Sequence, residues 1–247
     1  MQKQRFGVWD IYPVTNNKGE EVSLWIARNE VHVKRNCQAI SFAEKGRIKT
    51  WSLAFFLEKL GLLEDQWLIT AGTSTIPELP DGLIRSEFGH RSIVAHRTEE
   101  TMIHVKVDQQ GNSRIHSQNP GEKREKIALA PAETQRLASS AETLARSMFK
   151  RIQEICAEHR VTVTFVRFSF ARRLSDNKLV PIGGVCDPDL AGFEYKTNKC
   201  GETPPQTVRL GRDEMKRIQE AKTVLLCDRI RDKWRTFQTV LTTDFST

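Results

Sequence analysis

The feature that most constrains the fold is a long helix pattern followed at once by a long strand pattern. From Pro131 to Glu158 apolar residues recur every three or four positions, as in a helix with one buried face, and proline suits the first helical position. The apolar stripe consists of Leu137, Leu144, Met148, Ile152 and Ile155. Residues 161–171 are rich in β-branched and aromatic side chains, which predicts a strand. The second half of the chain therefore combines both element types.

Periodicity and turn residues predict the remaining elements. The expected strands are 5–14, 21–35, 67–70 and 178–182, together with a β-meander at 92–117. The expected further helices are 50–62, where Gly61 is a stop signal, and 210–241. A turn at Asn16–Gly19 is expected to join the first two strands. Strands and helices are mixed without sustained βαβ alternation, so the predicted fold class is α+β. The sheets are expected to be mixed or antiparallel, with the two long helices in the C-terminal half.

A chain of 247 residues is long enough for two small domains. Residues 119–130 contain Asn119-Pro120-Gly121 and mixed charges, which is typical of a linker. We therefore predict a β-rich N-terminal domain at 1–118, a linker at 119–130 and a basic α+β domain at 131–247.

Most of the positive charge lies in the second half of the chain. Residues 1–125 hold 17 basic and 16 acidic residues, whereas residues 126–247 hold 21 basic and 15 acidic residues. In the run 161–173, which contains the predicted strand, arginines stand among aromatic rings. Cations beside rings suit a polyanion with flat bases, because rings stack on unpaired bases and cations contact phosphates.

The first prediction is therefore a non-catalytic protein that binds RNA or another single-stranded nucleic acid, as a possible subunit of a nucleoprotein complex. In the strand, Phe168 and Phe170 share one face with Arg172, and Arg167 lies on the other. The predicted strands 161–171 and 178–182 would form a hairpin. The residues expected to contact the nucleic acid are Arg167, Arg172, Arg173 and Lys178 on this hairpin, and Arg146, Lys150 and Arg151 on the preceding helix.

Two alternatives belong to other functional classes. A nuclease could act without metal through His96 and His104, as two imidazoles that exchange protons around a phosphodiester. A magnesium-dependent nuclease could use Asp189, Glu194 and Lys196, in the manner of carboxylate–carboxylate–lysine sites. A scaffold that docks a protein partner through the last helix would carry its charge incidentally.

The metal and compartment signals are weak. Cys156, His159, Cys186 and Cys200 could supply four zinc ligands, but the paired Cys-x-x-Cys spacing is missing, so no metal or cofactor is predicted. Five cysteines, an odd number, indicate a reducing compartment. With no secretory leader and no apolar run near the ~20 residues of a membrane span, we predict a cytoplasmic protein without a membrane partner. No motif in the chain identifies a protein family.

Overall fold

The computed structural model describes residues 4–6, 9–31, 40–42, 44–62, 77–80, 83, 91–119, 125–182, 190–197, 206–211, 214 and 224–242. Their helices are α1 (Lys45–Lys59), α2 (Ala132–Glu158) and α3 (Val224–Thr242). Their strands are β1 (Gln4–Phe6), β2 (Trp9–Thr15), β3 (Glu21–Ala27), β4 (Glu30–Val31), β5 (Ile40–Ser41), β6 (Ser92–His96), β7 (Met102–Asp108), β8 (Ser113–Gln118), β9 (Glu125–Lys126), β10 (Val161–Arg172), β11 (Leu179–Pro181), β12 (Ala191–Thr197) and β13 (Gln206–Gly211). Every strand pair among them is antiparallel. The predicted α+β class is confirmed.

A seven-stranded sheet forms the larger layer, in the order β13-β12-β10-β7-β8-β9, with β11 also paired to β10. Helix α2 lies along one face and contacts β7, β8 and β10. Helix α3 continues this cover, because Trp234 and Phe237 pack on Phe193 of β12. The buried side chains between helices and sheet include Val166, Phe168 and Phe170 of β10. We call this side of the large sheet the apolar face.

A four-stranded sheet, in the order β1-β2-β3-β6, forms the second layer. The turn between β2 and β3 is held by Asn16, whose Oδ1 accepts hydrogen bonds from the backbone N–H groups of Lys18 and Glu20, both at 2.9 Å. Helix α1 packs on β3. Its Phe56 ring also stacks on Phe193 with centroids 6.1 Å apart, so α1 joins the two sheets through one core.

The structure corrects the predicted meander at 92–117. Strands β7 and β8 do form a hairpin, but β6 pairs with β3 in the small sheet. The connection 97–101 crosses to the large sheet and is fixed there by the bond from the Glu99 N–H to the Arg172 carbonyl, at 2.8 Å. Strand pairing is a long-range property, and nothing local in the sequence distinguishes a hairpin from a crossover of this length.

Two helix starts also differ from the prediction. Helix α1 begins at Lys45 rather than residue 50 and ends at Lys59 rather than residue 62, and the predicted stop signal, Gly61, follows it at φ +67°. Residues 210–211 belong to β13, so the last helix does not begin there. The strand predicted at 67–70 lies outside the described residues.

The predicted division of the chain at 119–130 stays a prediction. Strands β7, β8 and β9, which precede or lie within that range, share the large sheet with β10, β12 and β13, which follow it. Among the described residues, no helix is long and apolar enough to cross a membrane.

Candidate functional site

The second face of the large sheet is lined by polar and charged side chains, and we call it the polar face. Cross-strand partners in an antiparallel sheet point to the same side. The register therefore groups Arg167 and Ser169 of β10 with Lys106 and His104 of β7. The register of β7 with β8 adds Arg114 and His116. This face is opposite to the one covered by the helices.

A β-bulge on β10 sets which residues belong to each face. Val163 pairs with Phe193 and Phe165 pairs with Gly192, so one extra residue, Thr164, is accommodated between them. The ring of Phe165 then lies on the polar face against Gly192, where an added Cβ would come within 2.7 Å of the ring. The Nζ of Lys106 lies 4.5 Å from the centroid of the same ring. These contacts confirm the grouping given by the register.

Three cations form a row across neighbouring strands of the polar face. Arg167 is directly opposite Lys106, and Lys106 is directly opposite Arg114. Arg114 is exposed, and the other two are half-buried. Directly opposite side chains have Cβ atoms about 4.5–5.5 Å apart, and like charges at that spacing repel. An anion bound above this cation row would lower the repulsion.

A second row runs beside the first, two residues further along each strand, at a spacing of about 7 Å. It contains Ser169, His104, His116 and Lys126, each opposite the next in the register. The Nδ1 atom of His104 lies 2.9 Å from the Oγ atom of Ser169. Both residues are 3% exposed, whereas His116 is half-buried and Lys126 is exposed. We call this set the histidine row.

The carboxylates on the polar face are held by neighbours. Glu194 of β12 forms an ion pair of 2.9 Å with Arg209 of β13, its cross-strand partner. Asp108 accepts hydrogen bonds from the backbone N–H groups of Gln110 and Asn112, at 3.1 and 2.9 Å, and so shapes the β7–β8 turn. Both of these carboxylates therefore have partners outside the cation row.

Two of the predicted nucleic-acid contacts are instead held in ion pairs. Arg172 lies on the apolar face and donates to Glu99 and Glu133, both at 2.8 Å. These two hydrogen bonds raise the pKa of its guanidinium. Arg173 is 8% exposed and contacts Asp176 through two nitrogens, at 2.8 and 2.5 Å. Phe168 and Phe170 stack on each other inside the core, so neither ring is available to a base.

The other predicted contacts are spread over the molecule. Arg146 bonds Glu142 and the Gly111 carbonyl, and Arg151 pairs with Glu154 at 3.0 Å. Lys150 is exposed on α2, and Lys178 is exposed in the β10–β11 turn. The structure therefore does not bring the seven residues together, and Arg167 belongs to the cation row.

The residues of the nuclease alternatives are also separated. His96 lies at the end of β6 in the small sheet, opposite Val22, while His104 lies in the large sheet. Burial, and next the charge of Arg173, lower the pKa of His96. Glu194 pairs with Arg209, and Lys196 is exposed on the same strand; Asp189 lies outside the described residues.

The zinc hypothesis gains no support from the described part of the chain, where no cluster of three or more metal-binding side chains occurs. Cys156 is fully buried, and burial raises the pKa of its thiol to about 12, which disfavours the thiolate that zinc requires. His159 follows α2, and Cys186 and Cys200 lie outside the described residues.

Lys106, Arg114 and His116 were not predicted to share a site with Arg167. Each is one of the polar residues that alternate with apolar residues along β7 or β8. Their connection to β10 depends on the β7–β10 pairing, which joins residues about 60 positions apart in the sequence.

Comparison with known proteins yields solved structures alone: no family model and no curated protein matches the sequence. The SAICAR synthase of Saccharomyces cerevisiae, solved with SAICAR, is similar at a TM-score of 0.67 and 16% identity, over 100% of this chain and 97% of that one. The phosphoribosylaminoimidazole-succinocarboxamide synthase of Ehrlichia chaffeensis matches at 0.64 and 12%, over 97% and 98%. A type-2 SAICAR synthetase in complex with ADP matches at 0.63 and 7%, over 98% and 97%. At these identities the likeness establishes the fold.

These similarities overturn the function predicted from the sequence. These structures share the fold over 97–100% of this chain and are SAICAR synthases, so the prediction of a protein that binds RNA or single-stranded nucleic acid is wrong. The nuclease alternative fails on the same finding. The physical reason lies on and next to β10. Phe168 and Phe170, which were expected to stack on bases, belong to the core, and Arg172 and Arg173 form ion pairs.

Proposed function

We propose that the chain is a nucleotide-dependent ligase of the SAICAR synthase kind, which joins a carboxylate to an amine on the polar face of its large sheet. Its likeness to such enzymes over the full chain supports this assignment. The observation that carries it is the cation row of Arg167, Lys106 and Arg114, which lies on the sheet face opposite the helices.

The ligands bound in the similar structures suit such a row. ADP carries two phosphates. The full enzyme name, phosphoribosylaminoimidazole-succinocarboxamide synthase, indicates that SAICAR carries a phosphoribosyl group and a succinyl group. All of these groups are anionic near neutral pH. Arginine and lysine recognise phosphate and carboxylate through charge-assisted hydrogen bonds, which are stronger than those between neutral groups. Adjacent cations can hold one polyanion at several points.

The chemistry of an amide-forming ligation also needs this charge. A carboxylate becomes reactive towards an amine when a nucleoside triphosphate transfers a phosphoryl group to it, giving an acyl phosphate and a nucleoside diphosphate. Negative charge is spread over the phosphoryl oxygens during the transfer, and fixed cations stabilise it. The amine then displaces phosphate and forms the amide bond.

Isothermal titration calorimetry with ADP and with SAICAR tests this proposal. We expect both to bind, and Arg167→Ala to weaken at least one of them about tenfold or more, as for loss of a hydrogen bond to a charged group. Lys150→Ala is the matched control, because it removes one exposed cation from α2, on the other side of the sheet. Absence of binding to either ligand, or equal affinities for the two variants, would contradict the proposal.

We also propose a cytoplasmic location for the chain. The support is the odd number of cysteines, which suits a reducing compartment, and the free, buried state of Cys156. Fractionation of the source cells, followed by immunodetection of the chain, tests this location.

A further inference from the structure

The histidine row lies beside the cation row on the polar face. Its buried part is the pair of Ser169 and His104, joined at 2.9 Å between Oγ and Nδ1. Its outer part is His116, which is directly opposite His104 and half-buried. Cβ atoms of directly opposite residues are about 4.5–5.5 Å apart, so the two imidazoles are close neighbours.

The ligation contains a step for which such a row is suited. When the amine nitrogen attacks the acyl phosphate, the C–N bond forms, the C–O bond to phosphate breaks, and one proton must leave the nitrogen. Imidazole is the side chain whose ordinary pKa lies nearest neutral pH, and it commonly serves as the base in such transfers. A ligand held on the cation row would place its neighbouring groups over the histidine row, about 7 Å further along the strands.

We propose that His116 is the catalytic base that takes this proton, and that His104 and Ser169 are positioning residues behind it. The inference rests on the proposed function. If the Nδ1–H of His104 donates to the Ser169 oxygen, Nε2 keeps its lone pair, so the hydroxyl fixes the tautomer as well as the ring. A fixed ring beside His116 then restricts the orientation of the outer imidazole.

The other groups that face the row have separate tasks in this arrangement. Lys106, Arg167 and Arg114 flank it on β7, β10 and β8, where they hold the anionic part of the ligand. Lys126 of β9 ends the row at its exposed side. Three nearby polar residues do not belong to the histidine row. Thr101 and Asn119 bond each other at 2.7 Å, and His96 lies in the small sheet.

The test uses the reaction in reverse, with SAICAR, ADP and inorganic phosphate as substrates and luciferase detection of the ATP formed. In this direction protonated His116 donates to the leaving amine, so the wild-type rate rises as pH falls through the ionisation of that imidazole. We expect His116→Gln to lower kcat by about 100-fold or more, with KM nearly unchanged and the acidic rise in rate abolished. Ser169→Ala should lower kcat less and shift the pH profile.

His159→Gln is the matched control, because it makes the same replacement at the end of α2, away from the polar face. Melting curves for every variant show that each is folded. If ADP and SAICAR bind to wild type and ATP is formed, but His116→Gln keeps the wild-type rate and pH profile, the role of the histidine row is refuted and the proposed function stands. If neither ligand binds to wild type, the proposed function fails, and this inference fails with it.

Discussion

The two faces of the large sheet are built from alternate residues of the same strands, yet they have opposite properties. On β10, Val166, Phe168 and Phe170 are fully buried under α2, while Arg167 on the other side is half-buried and lies opposite Lys106. The apolar face packs against α2, and through ring contacts of Phe193 against α1 and α3. The polar face presents a cation row and a histidine row.

This difference shows how one strand serves folding and chemistry at once. Because successive side chains point to opposite sides, a residue can be replaced on one face with little direct effect on the other. The apolar face supplies the burial that stabilises the sheet. That stability permits like charges to be placed in register on the polar face, where they would otherwise be costly. The variants below test whether the two roles are as separate as the geometry indicates.

The largest effect is expected on the apolar face. Trp234 is fully buried against Phe193 and Phe237, so Trp234→Ala should lower the free energy of unfolding by about 3–5 kcal/mol. Chemical denaturation measures this loss. Arg229→Ala, at an exposed position of the same helix, is the control and should change stability little. A wild-type denaturation midpoint for Trp234→Ala would show that α3 is not part of the core.

The complementary change is on the polar face. Arg114→Ala removes the exposed member of the cation row, so affinity for ADP or SAICAR should fall about tenfold, while stability changes by no more than about 0.5 kcal/mol. Calorimetry and denaturation on the same sample measure both quantities. A large loss of stability with unchanged affinity would reverse the assignment of the two faces.

A smaller effect is expected where β10 ends. Hydrogen bonds from Arg173 lower the pKa of Asp176 from 3.8 to about 2. A carboxylate with a lowered pKa stabilises the fold above its unfolded pKa, and this contribution is lost as pH falls from about 4 towards about 2. Asp176→Asn should therefore melt below wild type at pH 7, and the gap should close over that acidic range. A gap that is independent of pH would show that the ion pair is not its cause.

The smallest effect concerns reactivity under α2. Cys156 is fully buried and its thiol has a pKa of about 12, so it should resist alkylation by iodoacetamide at pH 8 in the folded protein. Peptide mapping by mass spectrometry before and after addition of denaturant measures this protection. Rapid labelling of Cys156 in the native protein would mean that α2 opens readily from the apolar face.

The sequence predicted those parts of the fold that depend on local periodicity. The stripe that ends in Met148, Ile152 and Ile155 identified α2, and the alternation along 161–171 identified β10 together with the correct division of its C-terminal half between faces. Both patterns record burial directly, because one side of each element is covered over its whole length. The seam of Ile230, Trp234 and Phe237 identified α3 for the same reason.

The candidate site could not be predicted in this way, because it depends on which strands become neighbours. Arg167 and Lys106 are 61 positions apart, and their approach follows from the pairing of β10 with β7. The aromatic residues beside Arg167 also misled the interpretation, since a ring at an alternating position is compatible with a core as well as with an exposed stacking surface. Pairing the strands decides between the two.

The bulge at Thr164 has a consequence for how this chain can change in length. It places Val163 and Val166 on the same face although they are separated by an odd number of positions. Deletion of Thr164 would leave Val163 and Val166 two positions apart, so regular alternation would keep both on the apolar face and Arg167 on the polar face. Strand β10 can thus lose this one residue without turning either half over. Insertion or deletion of a single residue elsewhere in the strand would instead exchange the two faces of one half.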